Sequence, residues 1–94
     1  MYYVYILYSE KLKKRYIGYC SDLGRRIKDH NERRVVFTSR GVPWKIIYYE
    51  VFGSKSDAQR EEKFLKTGKG RDRIKFLLED TMKKINGRIL GSSE

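Results

Sequence analysis

Apolar and aromatic residues gather in three extended runs, and the stretches between and after them carry a helical period. The first run, Tyr2–Tyr8, is rich in aromatic and β-branched residues, which favours a strand. Side chains alternate across a strand, so Tyr3, Tyr5 and Leu7 share one face, and Tyr2, Val4, Ile6 and Tyr8 share the other. Polar Ser9–Lys14 turns the chain. Arg15–Cys20 then forms a second strand, antiparallel to the first, with Tyr16, Gly18 and Cys20 on one face. A glycine inside a strand costs stability and marks a place where something approaches the backbone closely.

Ser21 or Asp22 supplies an N-cap for a helix running to about Glu32. Leu23 and Ile27 form its apolar stripe, with Arg26 and His30 beside it, one turn apart, at the rim between helix and sheet. Arg33–Pro43 reads as a loop. Trp44–Phe52 is a third strand, and its near-continuous apolar character predicts a central strand or one covered on both faces. Ser56 with Gln59 has the capping-box pattern for a helix over Asp57–Lys66, which Gly68 and Gly70 stop. Ala58, Glu62 and Leu65 share one face of it. A last helix from Arg71 to about Ile85 places Ile74, Leu77, Leu78, Met82 and Ile85 on one side, and Asn86 and Gly87 end it. The expected order is β-β-α-β-α-α, an α+β fold in which helices flank a small antiparallel sheet. It forms one domain over residues 1–85 with a flexible tail at 86–94.

Composition narrows the function. A chain of 94 residues builds one small core and leaves little room for an enclosed cavity, so a shallow surface site is expected. The net charge of +10 favours a polyanionic partner, DNA, RNA or an anionic membrane surface, over solubility alone. Arg25, Lys28, Arg33, Arg34 and Arg40 are the candidate contacts to a nucleic-acid backbone. Cys20 is the only cysteine, which excludes an internal disulfide and a Cys-based zinc site and fits a reducing compartment. The apolar start lacks the preceding positive segment and cleavage site of a signal peptide, and no run is long enough to span a membrane. The expected location is cytoplasmic.

Four side-chain types carry candidate chemistry. The hairpin brings Tyr5 and Tyr16 onto one face near Arg26. A phenol with a pKa of ~10 is a poor base in water, and a neighbouring guanidinium makes proton transfer easier. Arg26 offers a planar fork to phosphate oxygens. His30 has no second His or Cys at metal-ligand spacing. Glu62 puts a carboxylate on an apolar stripe, which calls for an ion-pair partner or a metal ion. Mg²⁺ uses one or two carboxylates and completes its shell with water and phosphate oxygens. The glycines of Gly68–Gly70 lack the spacing of a Walker motif.

These residues resemble the GIY-YIG nuclease superfamily in its small stand-alone, single-domain bacterial (UPF0213-like) type. The first tripeptide reads Tyr3-Val4-Tyr5, without its glycine, and the second is intact as Tyr16-Ile17-Gly18. The stretches YVYIL, YIGY, DLGRRIKDHN, PWKIIYYE and SKSDAQREEKFLK carry the likeness over most of residues 2–66. The asparagine that many members have after the glutamate helix has no clear match. The resemblance implies a three-stranded antiparallel sheet flanked by helices, and cleavage of DNA phosphodiester bonds with Mg²⁺ or Mn²⁺ in repair or recombination. It assigns Tyr5 or Tyr16, with Tyr5 favoured, to the general base, and Arg26 to the transition-state charge. His30 would assist proton transfer, and Glu62 would hold the metal. The competing expectation is a DNA- or RNA-binding module with little or no catalysis. A protein partner or a dimer is compatible with both.

Overall fold

β1 (Tyr2–Ser9) is paired on both sides, with β2 (Lys14–Cys20) along one edge and β3 (Trp44–Phe52) along the other. Both pairings are antiparallel, and the sheet order is β2-β1-β3. The computed structural model describes residues 1–89, so the final five residues of the expected tail at 86–94 lie outside the described residues. Around the sheet lie α1 (Leu23–Asn31), a 3-10 segment (Val36–Gly41), α2 (Lys55–Leu65), α3 (Gly68–Leu77) and α4 (Glu79–Ile89). The α+β class and the element order are as the sequence predicts, with the final helical stretch divided in two.

The two faces of β1 feed two cores. Val4 and Ile6 are fully buried with Ala58, Leu65, Ile74 and Leu78, so α2, α3 and α4 cover that face. Tyr5 and Leu7 point the other way and pack with Trp44, Tyr16, Leu23 and Ile27, which brings α1 onto the opposite face. The alternation read from the sequence thus separates a core whose buried members are all apolar, with Tyr2, Tyr19 and Tyr48 at its margin, from one with a phenol at its centre. Only the second has polar groups at its centre.

Several local expectations are corrected. β3 is an edge strand, because β1 occupies the centre; Ile46, Tyr49 and Val51 are exposed. A bulge opposite Ile6 and Leu7 leaves Ile47 without a partner in the ladder. Ser54, and not Ser56, caps α2, its hydroxyl accepting from the Asp57 N–H at 3.3 Å. Gln59 is therefore free to reach the sheet and donates to the Tyr19 hydroxyl at 3.0 Å.

The glycines of GKG open α3 and do not stop α2, which ends at Leu65. Thr67 caps α3 by accepting from Gly70 N–H at 3.1 Å. Gly70 is pressed against Phe64 and Leu65 of α2, where a Cβ would collide with backbone. The single helix predicted from Arg71 breaks at Leu78, whose backbone (φ −113°, ψ 21°) leaves the helical region. The break buries Leu78 and lets α4 start with Glu79 and Asp80, acidic residues suited to a helix N-terminus. α4 continues through Asn86 and Gly87, where a stop is expected from the sequence.

Candidate active site

The site is built from the inner face of the hairpin and from α1. Tyr5 of β1 stands opposite Gly18 of β2. Its ring lies across that glycine: a Cβ on residue 18 would sit 2.5 Å from the phenol oxygen and 2.7 Å from Cζ. The close approach that Gly18 signals is therefore made by Tyr5 itself. Tyr16, opposite Leu7, lies beside it with ring centroids 6.4 Å apart.

Asp22 starts α1 by accepting from the Arg25 N–H at 3.1 Å. The apolar stripe Leu23 and Ile27 then fixes the rotation of the helix against the sheet. That rotation carries Arg26 and His30 to the tyrosines. His30 is fully buried, deeper than the rim position expected for it. Its Nε2 lies 3.0 Å from the Tyr5 hydroxyl and its Nδ1 lies 2.7 Å from Thr38 Oγ1. The Tyr16 ring meets the imidazole edge-on at 5.0 Å. Tyr5, Tyr16, Arg26 and His30 are thus brought together.

The electrostatics of the group are consistent. Burial pushes the Tyr5 phenol up to about 12, and the Arg26 guanidinium beside it works against that rise. The contact with Tyr5 in turn holds the charge on Arg26 more firmly. Burial, and then the nearby positive charge of Arg26, lower His30 below the ordinary imidazole value. At neutral pH the group holds a protonated phenol, a neutral imidazole and a charged guanidinium.

Glu62 is not in direct contact with this group. It lies on α2, on the other side of the sheet, with its carboxylate 2.9 Å from Lys66 Nζ. Gln59 reaches Tyr19 of β2, and Lys66 lines the cleft beside Tyr16. The face of α2 that carries Gln59, Glu62 and Lys66 therefore looks toward β2, the strand that bears Tyr16. Among the described residues no group of three His, Cys, Asp or Glu side chains could hold a metal. A lone, partly buried carboxylate is still the donor that Mg²⁺ or Mn²⁺ takes when phosphate and water fill the remaining positions, so the residues fit such an ion.

The cleft beside Tyr16 is basic and aromatic, with Lys13, Lys14, Arg15, Lys66 and Arg71 around it and Phe37 on its rim. Phe37 is 86% exposed, 6.0 Å from Tyr16 ring to ring. None of these cleft cations was among the sequence candidates. Of the candidates, Arg25, Arg33 and Arg40 are exposed and make no ion pair among the described residues. Lys28 pairs with Glu32 at 3.9 Å, and Arg34 with Asp29 and Glu32 at 3.1 and 2.8 Å. Sequence reasoning also missed Thr38. A threonine in a loop next to an exposed phenylalanine gives no periodic signal that it faces inward.

No helix among the described residues is long and apolar enough to cross a membrane. The family model of the GIY-YIG catalytic domain matches residues 1–77. A UPF0213 protein of Clostridium perfringens is 33% identical over 92% of this chain and 92% of its own length. One from Streptococcus pneumoniae serotype 4 is 38% identical over 69% of this chain and 67% of its own. Among solved structures, the solution NMR structure of the UPF0213 protein from Bacillus halodurans covers 82% of this chain and 85% of its own. It has 32% identity and a TM-score of 0.51. With most of its length matched, and with Tyr16-Ile17-Gly18 forming the wall on which Tyr5 lies, this chain belongs to the GIY-YIG nuclease domain family.

Proposed function

We propose that this protein is a divalent-metal-dependent endonuclease that hydrolyses phosphodiester bonds of DNA. The observation that carries the reading is the buried contact between the Tyr5 hydroxyl and His30 Nε2 at 3.0 Å, with the Arg26 guanidinium beside the phenol. A phenol raised to about 12 cannot act as a base by standing ionised at neutral pH. It can act by relay. Attacking water gives its proton to the Tyr5 oxygen as the phenol proton passes to neutral His30, and the water oxygen forms its bond to phosphorus. The bond to the leaving oxygen breaks, and that oxygen takes up a proton from solvent. Arg26 supplies fixed positive charge to the phosphoryl oxygens, where negative charge develops. Tyr16 packs against the imidazole.

Glu62 would hold Mg²⁺ or Mn²⁺, releasing Lys66 from its ion pair. The ion, when bound, would stabilise charge on the phosphoryl and leaving oxygens. The basic cleft beside Tyr16 supports a nucleic-acid backbone as the ligand. A role in DNA repair or recombination is part of this proposal, because the cleft cations would grip the backbone, a contact that does not itself read base sequence.

A binding module without cleavage is the competing reading, favoured by the distance of Glu62 from the Tyr5 group and by its pairing with Lys66. Incubation with supercoiled, nicked, flap and single-stranded DNA in Mg²⁺, Mn²⁺ or EDTA separates the two. Metal-dependent products that Arg26→Ala and Glu62→Ala fail to make support the nuclease. Tight, salt-sensitive binding with no products on any substrate supports the module. RNA is tested in the same way.

A further inference from the structure

We infer that Thr38 is a positioning residue that sets the tautomer of His30, leaving Nε2 as the proton acceptor facing Tyr5. Thr38 Oγ1 makes two polar contacts, to the Val35 carbonyl at 3.3 Å and to His30 Nδ1 at 2.7 Å. A carbonyl can only accept, so for both contacts to be hydrogen bonds the single hydroxyl proton must go to Val35; given to Nδ1 instead, it would leave the Val35 contact unmade. In that arrangement the oxygen meets Nδ1 with its lone pairs, and Nδ1 carries the N–H. In a neutral imidazole that leaves Nε2 bare, and the Tyr5 hydroxyl donates to it. The contacts run in one direction: Tyr5 O–H to His30 Nε2, His30 Nδ1–H to Thr38 Oγ1, and Thr38 O–H to the Val35 carbonyl.

The threonine is itself held in place. Its backbone N–H donates to the same Val35 carbonyl at 3.2 Å, which closes the first turn of the 3-10 segment. Its own carbonyl accepts from the Trp44 indole N–H at 2.7 Å. Trp44 is fixed in turn by Asn31, whose side-chain carbonyl accepts from the Trp44 N–H at 2.6 Å and whose amide donates to the Trp44 carbonyl at 3.0 Å. The segment is also tied to β1, where the Ser9 hydroxyl donates to the Gly41 carbonyl at 2.6 Å. Thr38 is 1% exposed, so water does not compete for its hydroxyl. A loop that looks like a simple connector thus holds one hydroxyl against the far side of the imidazole.

With the opposite tautomer, Nε2–H would face the Tyr5 oxygen as a donor and could not take the phenol proton. The role in catalysis rests on the proposed nuclease chemistry, whereas the tautomer does not. His30 is the only histidine in the chain, so its ring gives a single set of signals. The test is a long-range ¹H–¹⁵N correlation spectrum of the full chain at neutral pH, for wild type, Thr38→Ser and Thr38→Val. The inference expects Nδ1 at the protonated position and Nε2 at the unprotonated position in wild type and Thr38→Ser. In Thr38→Val, Nδ1 should lose that state in favour of Nε2–H or an averaged signal.

Cleavage by Thr38→Val should fall roughly tenfold in kcat with KM unchanged, as when other hydrogen-bond partners that orient an imidazole are removed, and Thr38→Ser should restore it. An Nε2–H tautomer in wild type overturns the inference, and so does a Thr38→Val spectrum identical to wild type. If Thr38→Val does not fold, the wild-type spectrum still decides. The expected tautomers in a protein that cuts no substrate support the assignment and count against the nuclease reading alone.

Discussion

The Tyr5 ring rests on the bare backbone of Gly18, so the two tyrosine-bearing strands meet where one of them has no side chain. The glycine sets how deeply the phenol enters the sheet, and so whether its oxygen reaches His30 Nε2. Gly18→Ala should displace the ring, because the added carbon falls 2.5 Å from the phenol oxygen. Overpacking of this kind costs about 1–3 kcal/mol, measurable as a lower urea midpoint. Cleavage should fall further than the stability loss explains, since the displaced hydroxyl no longer meets the imidazole.

His30 makes stability depend on pH with a definite sign. Burial and Arg26 hold its folded value below the ordinary 6.5, so the unfolded chain binds the proton more readily. The stabilisation is present above 6.5 and is lost as pH falls through the folded value. Urea unfolding of wild type and His30→Gln across this window should show the wild-type advantage shrink as the solution is acidified. The relay requires the same neutral form, so the cleavage rate should have an acid limb below the ordinary histidine range.

The opposite sign is expected on the far side of the molecule. Burial, with Glu50 beside it, raises the Glu61 carboxyl above 4.5. Glu50 itself accepts from Tyr48 at 2.7 Å and pairs with Arg73 at 3.5 Å, and its Oε1 is buried without a hydrogen-bond partner among the described residues. The folded state therefore holds a proton on Glu61 more tightly than the unfolded chain does, and stability is lost as pH rises through the folded value. Glu61→Gln should raise the melting temperature at neutral pH, and the gain should vanish as pH falls toward 4.5.

Glu62 should separate function from folding. Its partner Lys66 is half exposed, and a pair of this kind contributes about 0–1 kcal/mol. Glu62→Gln should therefore shift the urea midpoint little while abolishing the response of cleavage to added Mg²⁺. A large stability loss in this variant would mean that the carboxylate serves the fold.

Much of this site was legible in the sequence because it rests on short-range periodicity. Alternation put Tyr5, Tyr16 and Gly18 on one face, and helical spacing put Arg26 beside His30. What failed depended on what lies across from an element. The apolar run of β3 suggests a central strand, yet Ile46, Tyr49 and Val51 are left exposed at an edge. The capping-box pattern at Ser56 lost to Ser54, two residues earlier, and the Gln59 side chain goes to Tyr19 across on the sheet. Thr38 lies in a segment whose shape is set by long-range bonds from Trp44 and Ser9, and no local pattern records them. The charge excess points to a polyanion, but the cleft cations, from the β1–β2 turn, β2, the residue after α2 and α3, converge only in the folded chain.

The central claim is that the Tyr5 hydroxyl, backed by His30, moves the proton from water. Single-turnover cleavage of a DNA substrate by wild type and Tyr5→Phe, in saturating Mg²⁺, tests it most directly. Phenylalanine keeps the ring on Gly18 and removes only the hydroxyl, at a stability cost of about 1 kcal/mol for the lost buried hydrogen bond. A positioned base contributes roughly 10²–10⁴-fold, so the rate should fall at least a hundredfold with the fold intact. A Tyr5→Phe enzyme that cuts within a few-fold of wild type would contradict the account.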